Sequence, residues 1–196
     1  MSFRILFLGP DDSPLRKWIS EREDLISTTD RITPEFVQEN DIRFIVSYGY
    51  RHIIKSDLLQ LLPGAVINLH ISLLPFNRGA DPNFWSFIDD SPKGVTIHEV
   101  DTGLDTGPIL IQQEVEFRSG NETLASSYAK LHEVIQNLFI HNWDDLKSGR
   151  IEPVEQIGAG SYHSSKDKKE LLHLLEPDGW NTNISSLVKR NKDESS

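Results

Sequence analysis

Cysteine is absent from the 196 residues, so the chain can form neither a disulfide nor a thiolate metal site. That suits a reducing compartment, and cytoplasm is the expected setting. Clustered positive charge is missing as well: 20 Lys and Arg stand against 30 Asp and Glu, for a formal charge of −10. The short groups Lys166-Asp167-Lys168-Lys169 and Lys189-Arg190-Asn191-Lys192 are interrupted by or adjoin acids and read as solvated faces. A polyanion is held by several clustered cations that displace its counterions, so no nucleic-acid partner is expected. A small anion such as pyrophosphate needs only one or two cations or a few backbone amides and stays within reach. No apolar run approaches the ~20 residues that span a bilayer, so no membrane partner is expected. The apolar segment in residues 1–10 is too short for a signal peptide and reads directly into a buried strand.

What the chain does contain is ordinary globular material, with 37% hydrophobic and 26% charged residues. The length predicts one catalytic domain over residues 1–190, followed by a polar tail at 191–196. Short apolar runs at residues 3–8, 43–47 and 65–69 read as buried parallel strands. Between them, Thr33-Pro34 has the form of a cap followed by proline at the first helical position, and the run at 56–62 ends at Pro63-Gly64. Strands alternating with helices imply an α/β fold with a doubly wound, mostly parallel sheet. Residues 94–100 and 109–117 read as a β-arm joined by an Asp/Gly turn. Leu124, Tyr128, Leu131, Ile135, Leu138, Phe139 and Leu146 mark a long C-terminal helix behind a Ser119-x-x-Glu122 capping box. Residues 151–157 read as one more strand.

The chemistry concentrates in Asn68-Leu69-His70-Ile71-Ser72-Leu73-Leu74-Pro75 and, 35 residues after His70, in Asp105 of Asp101-Thr102-Gly103-Leu104-Asp105-Thr106-Gly107-Pro108. At the end of a strand, Asn68 and His70 project from one face as positions i and i+2. An amide, an imidazole and a carboxylate together can stabilise an oxyanion and move protons. Each also has a structural reading: Asn68 as a strand end, His70 as a hydrogen-bonded half-buried side chain, Asp105 as a turn cap. Reading Asp101 onward as a calcium loop fails, because its sixth position is Thr106 and its twelfth Gln112. A metal centre of His70, His98, Asp101 and Asp105 lacks a compact ligand pair, so no metal is expected. His98 alone reads as a structural strand residue.

These segments, with Arg78-Gly79-Ala80-Asp81-Pro82, resemble the core of the folate-dependent formyltransferases across residues 42–117. Gly79-Ala80-Asp81-Pro82-Asn83-Phe84-Trp85 is most similar to the branch acting on nucleotide-linked amino sugars. The resemblance implies an enzyme that takes a formyl group from N10-formyltetrahydrofolate to an amine, with Asn68, His70 and Asp105 catalytic. It implies folate contacts at Arg51, His52, Ile53, Ile54, Val100, Asp101, Thr102, Leu104 and Asp105, mostly through backbone. It places the acceptor against Asn77, Arg78, Gly79, Asp81, Asn83, Phe84 and Trp85. A methionyl-tRNA acceptor is not expected, because only 47 residues follow Gly149 and the net charge disfavours RNA. A ribonucleotide held on the turn after the first strand would meet Asp11 and Asp12 there. A hydrolase of the same folate, another small amine acceptor, a binding module without chemistry, and a homodimer all stay open. Residues 158–166 combine glycines, hydroxyls, Tyr162 and Lys166 and read either as a nucleotide contact or as a surface loop.

Overall fold

The structure is a computed structural model in which residues 4–117 and 120–187 are described. Ser119 of the expected capping box, Lys189-Arg190-Asn191-Lys192 and the polar tail at 191–196 lie outside them. Among the described residues the elements follow in the order β1 (Arg4–Leu8), α1 (Pro14–Ser20), β2 (Leu25–Thr28), α2 (Pro34–Glu39), β3 (Ile42–Ser47), α3 (Ser56–Leu61), β4 (Val66–His70), β5 (Arg78–Gly79), α4 (Pro82–Ile88), β6 (Gly94–Glu99), β7 (Ile109–Glu114), α5 (Leu124–Lys147) and β8 (Tyr162–His163). Two 3-10 helices, Asp167–Leu175 and Gly179–Asn181, come next, and residues 184–187 are again helical. Six strands form one sheet in the order β2-β1-β3-β4-β6-β7, and β5 pairs with β8. The pairs β1–β2, β1–β3 and β3–β4 are parallel. Chain order reverses between β1 and β3, the kind of point outside which ligands of open parallel sheets gather.

The chain packs as two compact units. The first comprises Met1–His70, Ile97–Ile111 and Phe139–Glu155, the second Ile71–Thr96, Gln112–Leu138 and Gln156–Ser196. In the first unit, Leu6, Leu8, Ile45 and Val66 on the parallel strands pack with Val37, Ile54 and Leu58, which is why these strands read as continuous apolar runs. Thr33 does cap α2, its hydroxyl accepting from the Phe36 amide at 3.2 Å. The C-terminal half of α5 adds Phe139 and Trp143, edge-on to Trp18 and Phe44. Glu23 accepts from Trp143 Nε1 at 2.8 Å and also pairs with Lys147. The second unit is built around Phe84, Phe87, Ile88, Leu124, Leu174 and Leu187.

Two elements differ from expectation. The strand over 151–157 is reduced to one antiparallel bridge, Val154 with Ile109, because Pro153 beside it has no N–H to donate. The arm of β6 and β7 is the last pair of strands of the main sheet.

Candidate active site

All of the expected catalytic side chains lie in the first unit, at the carboxyl end of β4 and on the turn after β6. Strand pleating turns Ile67 and Leu69 into the core and sends Asn68 and His70 to the other face. Asp105 arrives from a turn whose shape is imposed locally. Asp101 accepts from the Gly103 amide at 3.0 Å and from the Thr106 hydroxyl at 2.8 Å. Asp105 itself sits at φ 54°, and a Cβ on Gly107 would fall 2.0 Å from the Glu99 carbonyl oxygen, so only glycine closes this turn.

Asn68 Nδ2 donates to Asp105 Oδ1 at 3.2 Å. The other carboxylate oxygen lies 3.6 Å from His70 Nδ1, beyond a direct hydrogen bond and close enough to tighten on ligand binding. Sequence reasoning left His98 as a strand residue, yet it completes the cluster. It is only 2% exposed, and its Nδ1 lies 2.7 Å from the Glu99 carbonyl. A carbonyl only accepts, so Nδ1 carries the proton and Nε2 is left to accept from Asn68 Nδ2 at 3.3 Å. Both hydrogens of the Asn68 amide are thereby engaged, one on Asp105 and one on His98. The carbonyl end of Asn68 is what remains open. The sequence carried little signal for it: His98 stands three residues before Asp101 on a strand that also holds the polar Thr96 and Glu99.

A pocket of about 140 Å³ opens beside these groups. Arg51, His52, Ile53, Ile54, Val100, Asp101, Leu104 and Asp105 line it, as do Asn68 and His98; Thr102 does not. Sequence reading had not singled out Ser47, Tyr50 or Gly103 there. Ile53 is 76% exposed and Leu104 half-exposed, so two large apolar side chains stand open at the pocket, fit to hold a flat ring. Ile54 instead belongs to the core. Tyr50 donates its hydroxyl to the Asp30 carbonyl at 2.7 Å, and desolvation raises its pKa. Glu99 is likewise pushed up, first by burial and then by Glu155. Among the described residues no group of three or more His, Cys, Asp or Glu is arranged to hold a metal ion.

The expected acceptor residues lie in the second unit, and four of them turn inward. Asn77 has no exposed surface, and its amide nitrogen donates to Ser91 at 2.7 Å. Asn83 is engaged by the Leu124 carbonyl and the Ser127 hydroxyl. Phe84 and Trp85 are buried core side chains, and Trp85 stacks on His163 with centroids 3.8 Å apart. Asn77, Asn83 and Phe84 brace the unit from within, and Trp85 is buried beside them with its Nε1 facing no hydrogen-bond partner among the described residues. Arg78, Gly79 and Asp81 stay partly exposed.

A buried His70 with the partly buried Asn68 and Asp105, at the end of a parallel strand and on the turn after β6, makes a set able to move protons at a ligand held in the open pocket beside it. A model described as formyl transferase matches residues 24–142, and the chain belongs to that family. Over 96% of this chain and 99% of the other, it is 44% identical to the formyltransferase PseJ from Anoxybacillus kamchatkensis, solved in complex with UDP-4,6-dideoxy-4-formamido-L-AltNAc and tetrahydrofolate, with a TM-score of 0.89. It is 33% identical over 80% of its length to a methionyl-tRNA formyltransferase of Clostridium botulinum, covering 48% of that protein. A dTDP-4-amino-4,6-dideoxyglucose formyltransferase of Mycobacterium bovis is 34% identical over 59% of this chain and 51% of the relative. The chain thus spans about half the length of the curated relatives it matches.

Proposed function

We propose that the protein is an N-formyltransferase that moves the formyl group of N10-formyltetrahydrofolate to the amino group of a nucleotide-linked amino sugar, and that residues 1–190 act as one catalytic domain. The cluster of buried His70 with the partly buried Asn68 and Asp105, beside the pocket, carries this reading. The end-to-end similarity to PseJ, which was solved with a nucleotide-linked formamido sugar and tetrahydrofolate, supports the choice of acceptor. In the transfer a bond forms between the amine nitrogen and the formyl carbon. The bond from that carbon to N10 of the folate breaks, and the proton lost by the amine ends on N10. His70 faces the developing oxyanion and supplies or shares a proton there, with Asp105 holding it and relaying the amine proton through water. Asn68 offers its open carbonyl end to an N–H of the attacking amine. To reach the formyl oxygen it would have to take a hydrogen back from Asp105 or His98. The pterin lies between Ile53 and Leu104, with the backbone of the two pocket turns reading its edge. The setting is taken as cytoplasmic, with small-molecule partners and no nucleic acid.

The test is tetrahydrofolate release from N10-formyltetrahydrofolate with UDP- and dTDP-linked 4-amino and 3-amino sugars, with His70→Ala alongside. Turnover that requires one sugar and drops at least ~100-fold in the variant is expected. Turnover without any amine would replace this reading with a hydrolase.

A further inference from the structure

We propose that Arg78 and Tyr162 form the subsite for the nucleoside-diphosphate end of the acceptor; this rests on the acceptor reading above. Both lie in the second unit. Arg78 on β5 and Tyr162 on β8 are direct partners in the two-stranded pairing, so their side chains leave the same face of that small sheet, one strand spacing apart.

Arg78 is half-buried, and its Nε and Nη2 both donate to Gln156 Oε1, at 3.1 and 2.7 Å. That partner is a neutral amide. Lys93, Lys130 and Lys168 in the same unit each face a carboxylate, from Asp90, Glu122 and Asp81 respectively. Among the described residues Arg78 faces none. A guanidinium fixed in place without a counter-charge keeps its full charge and three free N–H groups. That is costly beside protein unless an anion arrives to meet it. Two acidic oxygens of a diphosphate match the remaining fork.

Tyr162 supplies the other half. Its side chain is 56% exposed, and its ring lies against Gly79, where a Cβ would stand 2.9 Å from the ring edge. Glycine at 79 therefore makes room for the ring, which stays more than half exposed, and a flat base stacks on an exposed aromatic ring. The segment is braced for the task. Ser161 accepts from the Asn77 amide at 2.8 Å, and the Arg78 amide donates to the Ser161 carbonyl at 2.9 Å. Gly160 turns at φ 61°, so close to the Pro75 carbonyl that a Cβ there would fall 2.1 Å from its oxygen. The buried Asn77 thus acts through Ser161, and Gly160 serves close packing against Pro75.

Binding of UDP, dTDP and uridine to the folded protein is measured by titration calorimetry, for wild type, Tyr162→Ala, Tyr162→Phe, Arg78→Gln and Arg78→Lys. UDP or dTDP is expected to bind wild type and Tyr162→Phe alike. Binding should weaken about tenfold in Tyr162→Ala and in Arg78→Gln, and less in Arg78→Lys. Uridine should be weakened by Tyr162→Ala and hardly by Arg78→Gln. In the transfer assay both variants raise KM for the nucleotide sugar with kcat within about threefold. Unchanged affinities and KM in folded Tyr162→Ala and Arg78→Gln, or no diphosphate binding by wild type, overturn the subsite. If the two variants lose UDP binding while no nucleotide-linked amino sugar accepts a formyl group, the subsite stands and the acceptor reading falls.

Discussion

Asn68 is the residue on which the site turns, because its amide joins Asp105 to His98 and its orientation follows from the proton on His98 Nδ1. Replacing His98 by Phe keeps a flat ring and removes the acceptor at Nε2. One amide hydrogen is then released, and the amide is free to rotate by half a turn. We expect kcat to fall about 10- to 100-fold with KM for the folate within about threefold, since Ile53 and Leu104 are untouched. Steady-state kinetics with both substrates saturating decides it. A wild-type kcat, or a loss that appears only in KM, would reduce His98 to a packing residue. Asn68, His70 and Asp105 were legible in the sequence because their spacing sits inside long matching segments. His98 was not, because a single histidine on a strand has the same appearance whether it is core or chemistry; only its contacts to Glu99 and Asn68 separate the two. Asn77, Asn83, Phe84 and Trp85 show the other side of this, because they are buried within the motif. A motif near a site contains residues that touch ligand and residues that hold the motif, and composition does not distinguish them.

At the scale of elements, the parallel strands were readable from their apolar runs, and α2 and α5 from capping and periodicity. β2 was missed because Leu25–Thr28 is a half-buried edge of four residues, and α1 because a seven-residue helix carries too few turns to show a period. The long helix α5 adds a pH dependence. Burial holds the pKa of His132 below its ordinary value, beside Tyr128 at 4.2 Å between ring centroids. As pH falls below about 6.5, the unfolded chain takes up this proton first, so stability is present above that value and is lost on acidification. Glu99, whose pKa is raised, works in the opposite sense: the folded state holds its proton more firmly, so acidification favours folding through that group. His132→Gln should therefore flatten the fall of the melting temperature between about pH 7 and pH 5 without altering it above pH 7. Thermal melts across that range check this, and parallel curves for wild type and variant would show that His132 titrates alike in both states.

At the scale of the whole molecule, the charge of −10 and the proposed nucleotide-linked acceptor set a constraint on salt dependence. An enzyme that neutralises many phosphates loses affinity steeply as salt rises, by about 10³-fold or more between 50 and 200 mM for six to ten contacts. A chain carrying this negative excess repels an approaching nucleotide sugar over roughly a Debye length, ~10 Å at 0.1 M, and salt screens that repulsion. Contact with Arg78 acts at short range and is screened less than the long-range field. The expected result is that kcat/KM for the nucleotide-linked amino sugar holds or rises between about 20 and 200 mM KCl. In the Arg78→Gln variant the rise should be steeper, because only the repulsive part of the field remains. A drop of tenfold or more over the same range would instead mean several phosphate contacts, and so a nucleic-acid acceptor of the kind used by the methionyl-tRNA relatives, despite the composition.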